Sequence, residues 1–329
     1  MNKIAFIIGE TFLYWNSIIL VLGTLTAVCL FLAFYLGRSG NGIGGFLVLP
    51  FAIVFSMVLG RLIHWYCKAD SYASLESAFS DFTSGDFALC GVFAGCFLAA
   101  CLLRLLQAVK DLPQLLDCMA LAGAAGIGVG RLGCLFTDSD RGDILETPIG
   151  LPFTWPVPNA VTGEPENRIA VFLFQSMACG VIFLILSIFW LATRRKGKNG
   201  DTCLLFLLLY GASQIVLDSM RYDSLYLRSN GFVSVVQILG AAGVVLGVVV
   251  FSVRMVRSRG WRWWYLALWL LTAGLLGCAG YMEYHVQRHG DRALFAYSVM
   301  SACLMGVVIL ASLFLGLSRK KATIYSEIY

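Results

Sequence analysis

Nine runs of about twenty apolar residues, each near the length one helix needs to cross a bilayer, set the limits on what this chain can fold into. They fall at 17–36, 45–66, 86–107, 115–136, 169–192, 203–220, 231–252, 262–282 and 294–317. In hydrocarbon every backbone N–H and C=O must be satisfied within the segment, so runs of this kind are helices. Composition closes off the alternatives: 59% of residues are apolar and 13% are charged, with a mean hydropathy of +0.80. Soluble domains carry about 25% charged residues, so a soluble enzyme is excluded. Disorder is excluded too, because disordered chains are rich in charge and poor in aromatics. The reading is an all-α polytopic membrane protein.

The net charge of +5 is no nucleic-acid footprint, because the basic residues gather in short loops between spans. One set of alternating loops holds fourteen Lys and Arg, with TRRKGKNG and VRMVRSRGWR the densest, against eight in the other set. By the positive-inside rule the first set is cytoplasmic, which puts the N-terminus outside and the C-terminus inside. The two long acidic connectors, 68–86 and 137–168, then fall on the outer side. The second is long for a plain connector. The eleven cysteines lie mostly within apolar runs and show no CxxC or zinc spacing, so they read as small apolar helix residues. No HExxH, GxSxG or Walker motif occurs, and no metal or cofactor is implied. MNKIAFIIGETFLYW lacks a signal-peptide cleavage pattern and reads as the approach to the first span.

Charges within spans need a reason. Arg61 sits in SMVLGRLIHWYC with His64 one turn on, Arg131 in GIGVGRLGCLF, and Asp218 and Arg221 end YGASQIVLDSMRYDS on one helix face with Gln214. In the topology above, the three arginines lie in the outer half of the bilayer or at its outer rim. Two readings stand: arginines that snorkel or pair with Asp218 as structural glue, and a partly buried basic pocket that clamps an anionic group. Arginine suits the second, since its planar fork donates two hydrogen bonds to phosphate and burial does not neutralise it. The third, fourth and sixth spans, the least apolar, are expected to surround a polar cavity open to the outer leaflet. The fourth, MALAGAAGIGVGRLGCLF, is so rich in Gly and Ala that its backbone must lie close to other helices.

GVGRLGCLF at 128–136 resembles the Gly-Arg-Ile-Gly-Asn-Phe signature of prolipoprotein diacylglyceryl transferases. YWNSIILVLG (14–23), LGRLIHWY (59–66), SGDFALCGVFAG (84–95), and LYGASQIVLDSMR (209–221) with SVVQILG (234–240) resemble that family's further motifs in order and spacing. The resemblance covers about 1–252, a seven-span core with the outer segment 137–168, and leaves 253–329 as two added spans and a cytoplasmic tail. Those added spans are expected to be dispensable for folding of the first seven.

The family moves a diacylglyceryl group from phosphatidylglycerol to the lipobox cysteine thiol of a preprolipoprotein in the bacterial cell membrane. The resemblance therefore implies membrane lipid and preprolipoprotein signal peptides as partners. By position it makes Arg131 and Arg221 the phosphate clamp and Asp218 the acid that orients Arg221. It gives Arg61, Gly130, Gly133, Gln237 and Cys90 to substrate binding. The departures are specific: the family's histidine falls on Cys90, its second glycine on Val92, its asparagine on Cys134, and its first-span tyrosine on Asn16. The glutamate after the signature falls near Ser139, flanked by Asp138 and Asp140, Gln214 replaces an arginine, and RIAVFLFQ (168–175) has lost the family's polar run. A transferase working through the retained arginines is one expectation. A catalytically silent paralogue that binds anionic lipid or lipopeptide, as an accessory or transport protein, is the other.

Overall fold

The computed structural model describes residues 3–8, 11–39, 42–80, 87–144, 150, 152–159, 162–193, 199–228, 230–290 and 292–325. Residues 84–86 of SGDFALCGVFAG and 194–198 of TRRKGKNG lie outside the described residues. Among the described residues, eight helices are long and apolar enough to cross a membrane, and the protein is a multi-pass, all-α membrane protein. They are α1 (Trp15–Ser39), α2 (Gly42–Cys67), α5 (Leu112–Arg131), α6 (Val171–Thr193), α7 (Asp201–Ser219), α8 (Val235–Arg259), α9 (Trp264–His289) and α10 (Ala293–Tyr325). The third run, expected over 86–107, forms a shorter apolar helix, α4 (Leu89–Leu105), of 17 residues. A six-residue helix, α3 (Leu75–Ser80), lies in the connector before it.

The chain divides into two compact units. The first is Met1–Phe206 with Arg221–Val236, and the second is Leu207–Met220 with Gln237–Tyr329.

In the first unit, small residues let helix backbones touch. A Cβ on Gly91 of α4 would fall 2.4 Å from Leu59 O and 2.5 Å from Gly60 Cα, so α4 lies directly on α2. A Cβ on Gly23 of α1 would fall 2.7 Å from Gly126 O, which sets α1 against the Gly-rich α5. At the start of α5 the Asp111 side chain accepts from the Gln114 N–H at 3.3 Å and caps the helix. Asp117, buried within α5, accepts from the N–H groups of Gly200 and Cys203, both at 2.8 Å. One helix thus caps the first turn of another, satisfying donors that α7 cannot satisfy itself.

At the other end of α5 the connectors of this unit gather. Three two-stranded antiparallel ribbons lie there: β1 (Ile4–Ile8) with β2 (Thr11–Tyr14), β3 (Thr154–Pro158) with β4 (Pro165–Ile169), and β5 (Tyr226–Leu227) with β6 (Asn230–Ser234). Lys3 pairs with Asp138 at 2.7 Å, and Gly142 bridges to Arg221. The segment 137–144 is therefore held between the N-terminal ribbon and the chain that follows α7.

In the second unit α9 and α10 are tied to α7 and α8 by four polar contacts. Gln237 Nε2 donates to Glu283 Oε1 at 2.8 Å, and the Tyr297 hydroxyl to Ser219 O at 3.3 Å. Trp269 Nε1 donates to Ser252 Oγ at 2.6 Å, and Arg259 Nε to Leu317 O at 2.7 Å. The last two helices pack within the same unit as α8 and most of α7.

Candidate active site

Arg131 is the last residue of α5, where a five-residue 3-10 turn, Leu132–Phe136, takes over and ends the helix. Arg221 follows the C-terminus of α7. Both reach Asp140. The Arg131 Nη1 group donates to Asp140 Oδ2, and Arg221 Nη2 lies 2.6 Å from Asp140 Oδ1. The two guanidinium groups thus converge on the two oxygens of one carboxylate. The three side chains are 18%, 12% and 6% exposed for Arg131, Arg221 and Asp140, so water screens these charges little.

Asp140 is fixed from several sides. Its backbone has φ of +56°, a left-handed conformation that Asp tolerates better than most residues. Its N–H donates to Asp223 Oδ2 at 3.0 Å, and its C=O accepts from the Phe172 N–H at 3.1 Å in the first turn of α6. Asp223 in turn accepts from Arg221 Nε at 3.0 Å, and the Cys134 thiol donates to Asp140 Oδ2 at 3.1 Å. Burial acts to raise the Asp140 pKa, but the guanidinium groups of Arg131 and then Arg221, with the Cys134 hydrogen bond, outweigh it and hold the carboxyl at about 2.

Arg141, the next residue, is buried. Its Nη2 donates to Cys134 O at 3.1 Å and Thr137 O at 2.9 Å, and its guanidinium lies 4.5 Å from the centre of the Phe172 ring. It closes the turn that presents Asp140.

The remaining sequence-predicted residues sit as follows. Gly133 faces Asn16, whose Oδ1 would lie 2.5 Å from an added Cβ, so the turn after Arg131 is seated on the start of α1. Gly130 belongs to the seam between α5 and α1. Arg61 is fully buried, with Nε donating to Ala78 O at 2.5 Å and its guanidinium beside the rings of Tyr72 and Phe87. His64 Nδ1 lies 2.9 Å from the Tyr72 hydroxyl. Arg61 and His64 thus anchor the connector between α2 and α4. Cys90 is buried beside Gly91 on the α2–α4 seam. In the second unit Asp218 is buried, and Gln237 Nε2 contacts both Ile215 O at 3.4 Å and Glu283.

Sequence reasoning found the two arginines and missed what joins them. Asp140 appears there only as a neighbour of Ser139, and Asp223 not at all. Both lie in loops, where no helical spacing points to a partner. The usable signal was the pair of acids, Asp138 and Asp140, seven and nine residues after Arg131.

The family model for prolipoprotein diacylglyceryl transferase matches residues 3–253. The chain belongs to the prolipoprotein diacylglyceryl transferase family. Among the relatives, the phosphatidylglycerol–prolipoprotein diacylglyceryl transferase of Finegoldia magna is 28% identical over 253 residues, covering 76% of this chain and 94% of that protein. The enzyme of the same name from Streptococcus equi subsp. zooepidemicus is 26% identical over 269 residues, covering 79% of this chain and 97% of its own. That of Thermotoga maritima is also 26% identical over 269 residues, covering 77% and 85%. The match to this transferase family ends within α8, so α9 and α10 lie beyond it.

Proposed function

We propose that this protein transfers the diacylglyceryl group of phosphatidylglycerol to the lipobox cysteine thiol of a preprolipoprotein, forming a thioether and releasing glycerol phosphate. The observation that carries the reading is the convergence of Arg131 and Arg221 on one carboxylate. A phosphodiester presents two anionic oxygens much as Asp140 does, so forks that receive the one can receive the other. In the reaction the thiol sulfur forms a bond to the glycerol carbon as the carbon–oxygen bond to phosphate breaks. Negative charge grows on the phosphate oxygens, and fixed guanidinium groups favour that charge without reorganising. Asp140, held at about 2, is a weak proton acceptor near neutral pH. The thiol proton leaves through water in this reading, while Asp140 and Asp223 hold Arg221 in place.

The ribbon-bearing end of the first unit faces outward in this reading, with the N-terminus outside, where both lipid and secreted substrate arrive.

A second reading has its own support. Cys90, in the place of the family's histidine, is a buried thiol rather than a ring base. That favours a silent paralogue that binds anionic lipid or lipopeptide without reacting. A transfer assay with phosphatidylglycerol and a lipobox peptide, comparing the wild type with Arg131→Ala, separates the two. Transfer that is lost in the variant supports the enzyme. Lipid binding without transfer in the wild type supports the silent paralogue.

A further inference from the structure

At the end of α5 opposite Arg131, the tip of the α4–α5 hairpin carries a wide-open recess of about 630 Å³, lined by Cys101, Arg104, Leu105, Gln107, Lys110 and Leu112. Ligand cavities span about 300–1,000 Å³, so this one is large enough for a lipid headgroup and its glycerol. Twenty residues of α5 separate it from the arginine cluster, about 30 Å at the rise of an α-helix, roughly one bilayer core. The two sites therefore sit at opposite membrane faces.

Three features of the recess point to one class of ligand. First, among the described residues neither Arg104 nor Lys110 has an ion-pair partner, and Arg104 Nη1 makes one long contact, to Val109 O at 3.4 Å. The nearest acid in sequence, Asp111, is engaged elsewhere, by the Gln114 N–H and by Asn199. Second, the cations share the lining with an apolar wall, and Leu105 is 79% exposed. A free anion in water has no use for such a wall, whereas an amphiphile does. Third, the 17 residues of α4 span only about 25 Å, less than a typical bilayer core of about 30 Å. The hairpin tip is therefore drawn in towards the acyl region, and a short span draws headgroups inward with it.

We propose that this recess binds an anionic glycerophospholipid of the leaflet opposite the arginine cluster. Arg104 and Lys110 hold its phosphate, and Leu105 and Leu112 lie along its glycerol and first methylenes. The lipid is held there and not consumed, and it seats the short α4–α5 hairpin at the correct depth.

The test is a titration of the full chain with phosphatidylglycerol followed by native mass spectrometry. It is run on wild type, on Arg104→Gln/Lys110→Gln, on Lys110→Arg, and on each again with Arg131→Ala to remove the proposed clamp. The double variant is expected to bind at least about tenfold more weakly at this site, as loss of charge-assisted hydrogen bonds requires. Lys110→Arg should bind as wild type, and the loss should persist in the Arg131→Ala chain. Equal affinity in the double variant overturns the proposal. So does phosphatidylcholine binding as tightly, which means an apolar annular contact. Displacement by inorganic phosphate also overturns it, since the site then takes a free anion.

Discussion

Arg221 Nη2 and Asp140 Oδ1 lie 2.6 Å apart, and the other oxygen of the same carboxylate receives Arg131. One acid therefore holds two like charges together in a poorly hydrated place. Replacing Asp140 with Asn removes the charge that the two arginines share, although Arg221 keeps its bond to Asp223. Breaking a buried ion pair from one side costs on the order of 3 kcal/mol or more, so Asp140→Asn should melt several degrees below wild type in detergent. The same acid sets a pH dependence. Its folded pKa is depressed, so its contribution is complete above the ordinary carboxylate range and is lost as pH falls towards about 2. The Tm gap between wild type and Asp140→Asn should close as pH drops from about 5 to 2, and a gap that stays constant would exclude this account.

The clamp predicts that Arg131→Lys and Arg221→Lys are nearly as damaging as the alanine variants. Lysine keeps the charge and loses the planar fork that lets one side chain serve two oxygens. Each lysine variant should lower lipid binding or transfer about ten- to a hundred-fold. Wild-type rates in both lysine variants would make the arginines mere headgroup anchors.

Neighbouring residues on α4 should respond in opposite ways. Cys90→Ala removes a buried thiol and should change transfer little, whereas a thiolate acting as base would make the same change abolish it. Gly91→Ala puts a methyl 2.4 Å from Leu59 O and 2.5 Å from Gly60 Cα, where only backbone could yield. Forced overpacking costs about 1–3 kcal/mol, and here α2 and α4 must separate. Gly130→Ala meets one side-chain atom, Leu20 Cδ1, at 3.7 Å and should be tolerated. Thermal melts of the three variants, with transfer assays, give the comparison.

Deleting 261–329 removes Glu283, Tyr297, Trp269 and Leu317 from their contacts with Gln237, Ser219, Ser252 and Arg259. The shortened chain should insert, because its own apolar runs are intact, yet lose stability through exposed partners on α7 and α8. Glu283→Gln keeps the shape and should cost far less than the deletion. A deletion that melts with the wild type would return α9 and α10 to the status of an appendage.

Much of this arrangement was legible in the apolar runs, because a span must satisfy its own backbone and so announces its length and helical form. All nine runs became helices, and Arg131 and Arg221, paired by the family resemblance, do converge on one carboxylate. What stayed hidden was polar chemistry placed by the tertiary fold. Asp140 acts from a left-handed loop residue, Asp223 follows Arg221 by two residues outside any helix, and Asp117 lies in an apolar run and serves a helix other than its own. Glu283 lies just past the eighth run, and nothing in the letters around it names Gln237 as its partner.

Asp117 also bears on the order in which the chain is made. It enters with α5, but the N–H groups that satisfy it, at Gly200 and Cys203, are 83 and 86 residues further along. Until they emerge, α5 presents an acid to the bilayer, a burden of up to about 2.5–3.5 kcal/mol near a span's centre. The nascent fifth helix is therefore complete as a membrane segment only when the start of α7 has left the ribosome, and synthesis paused between the two should hold α5 at the edge of the lipid.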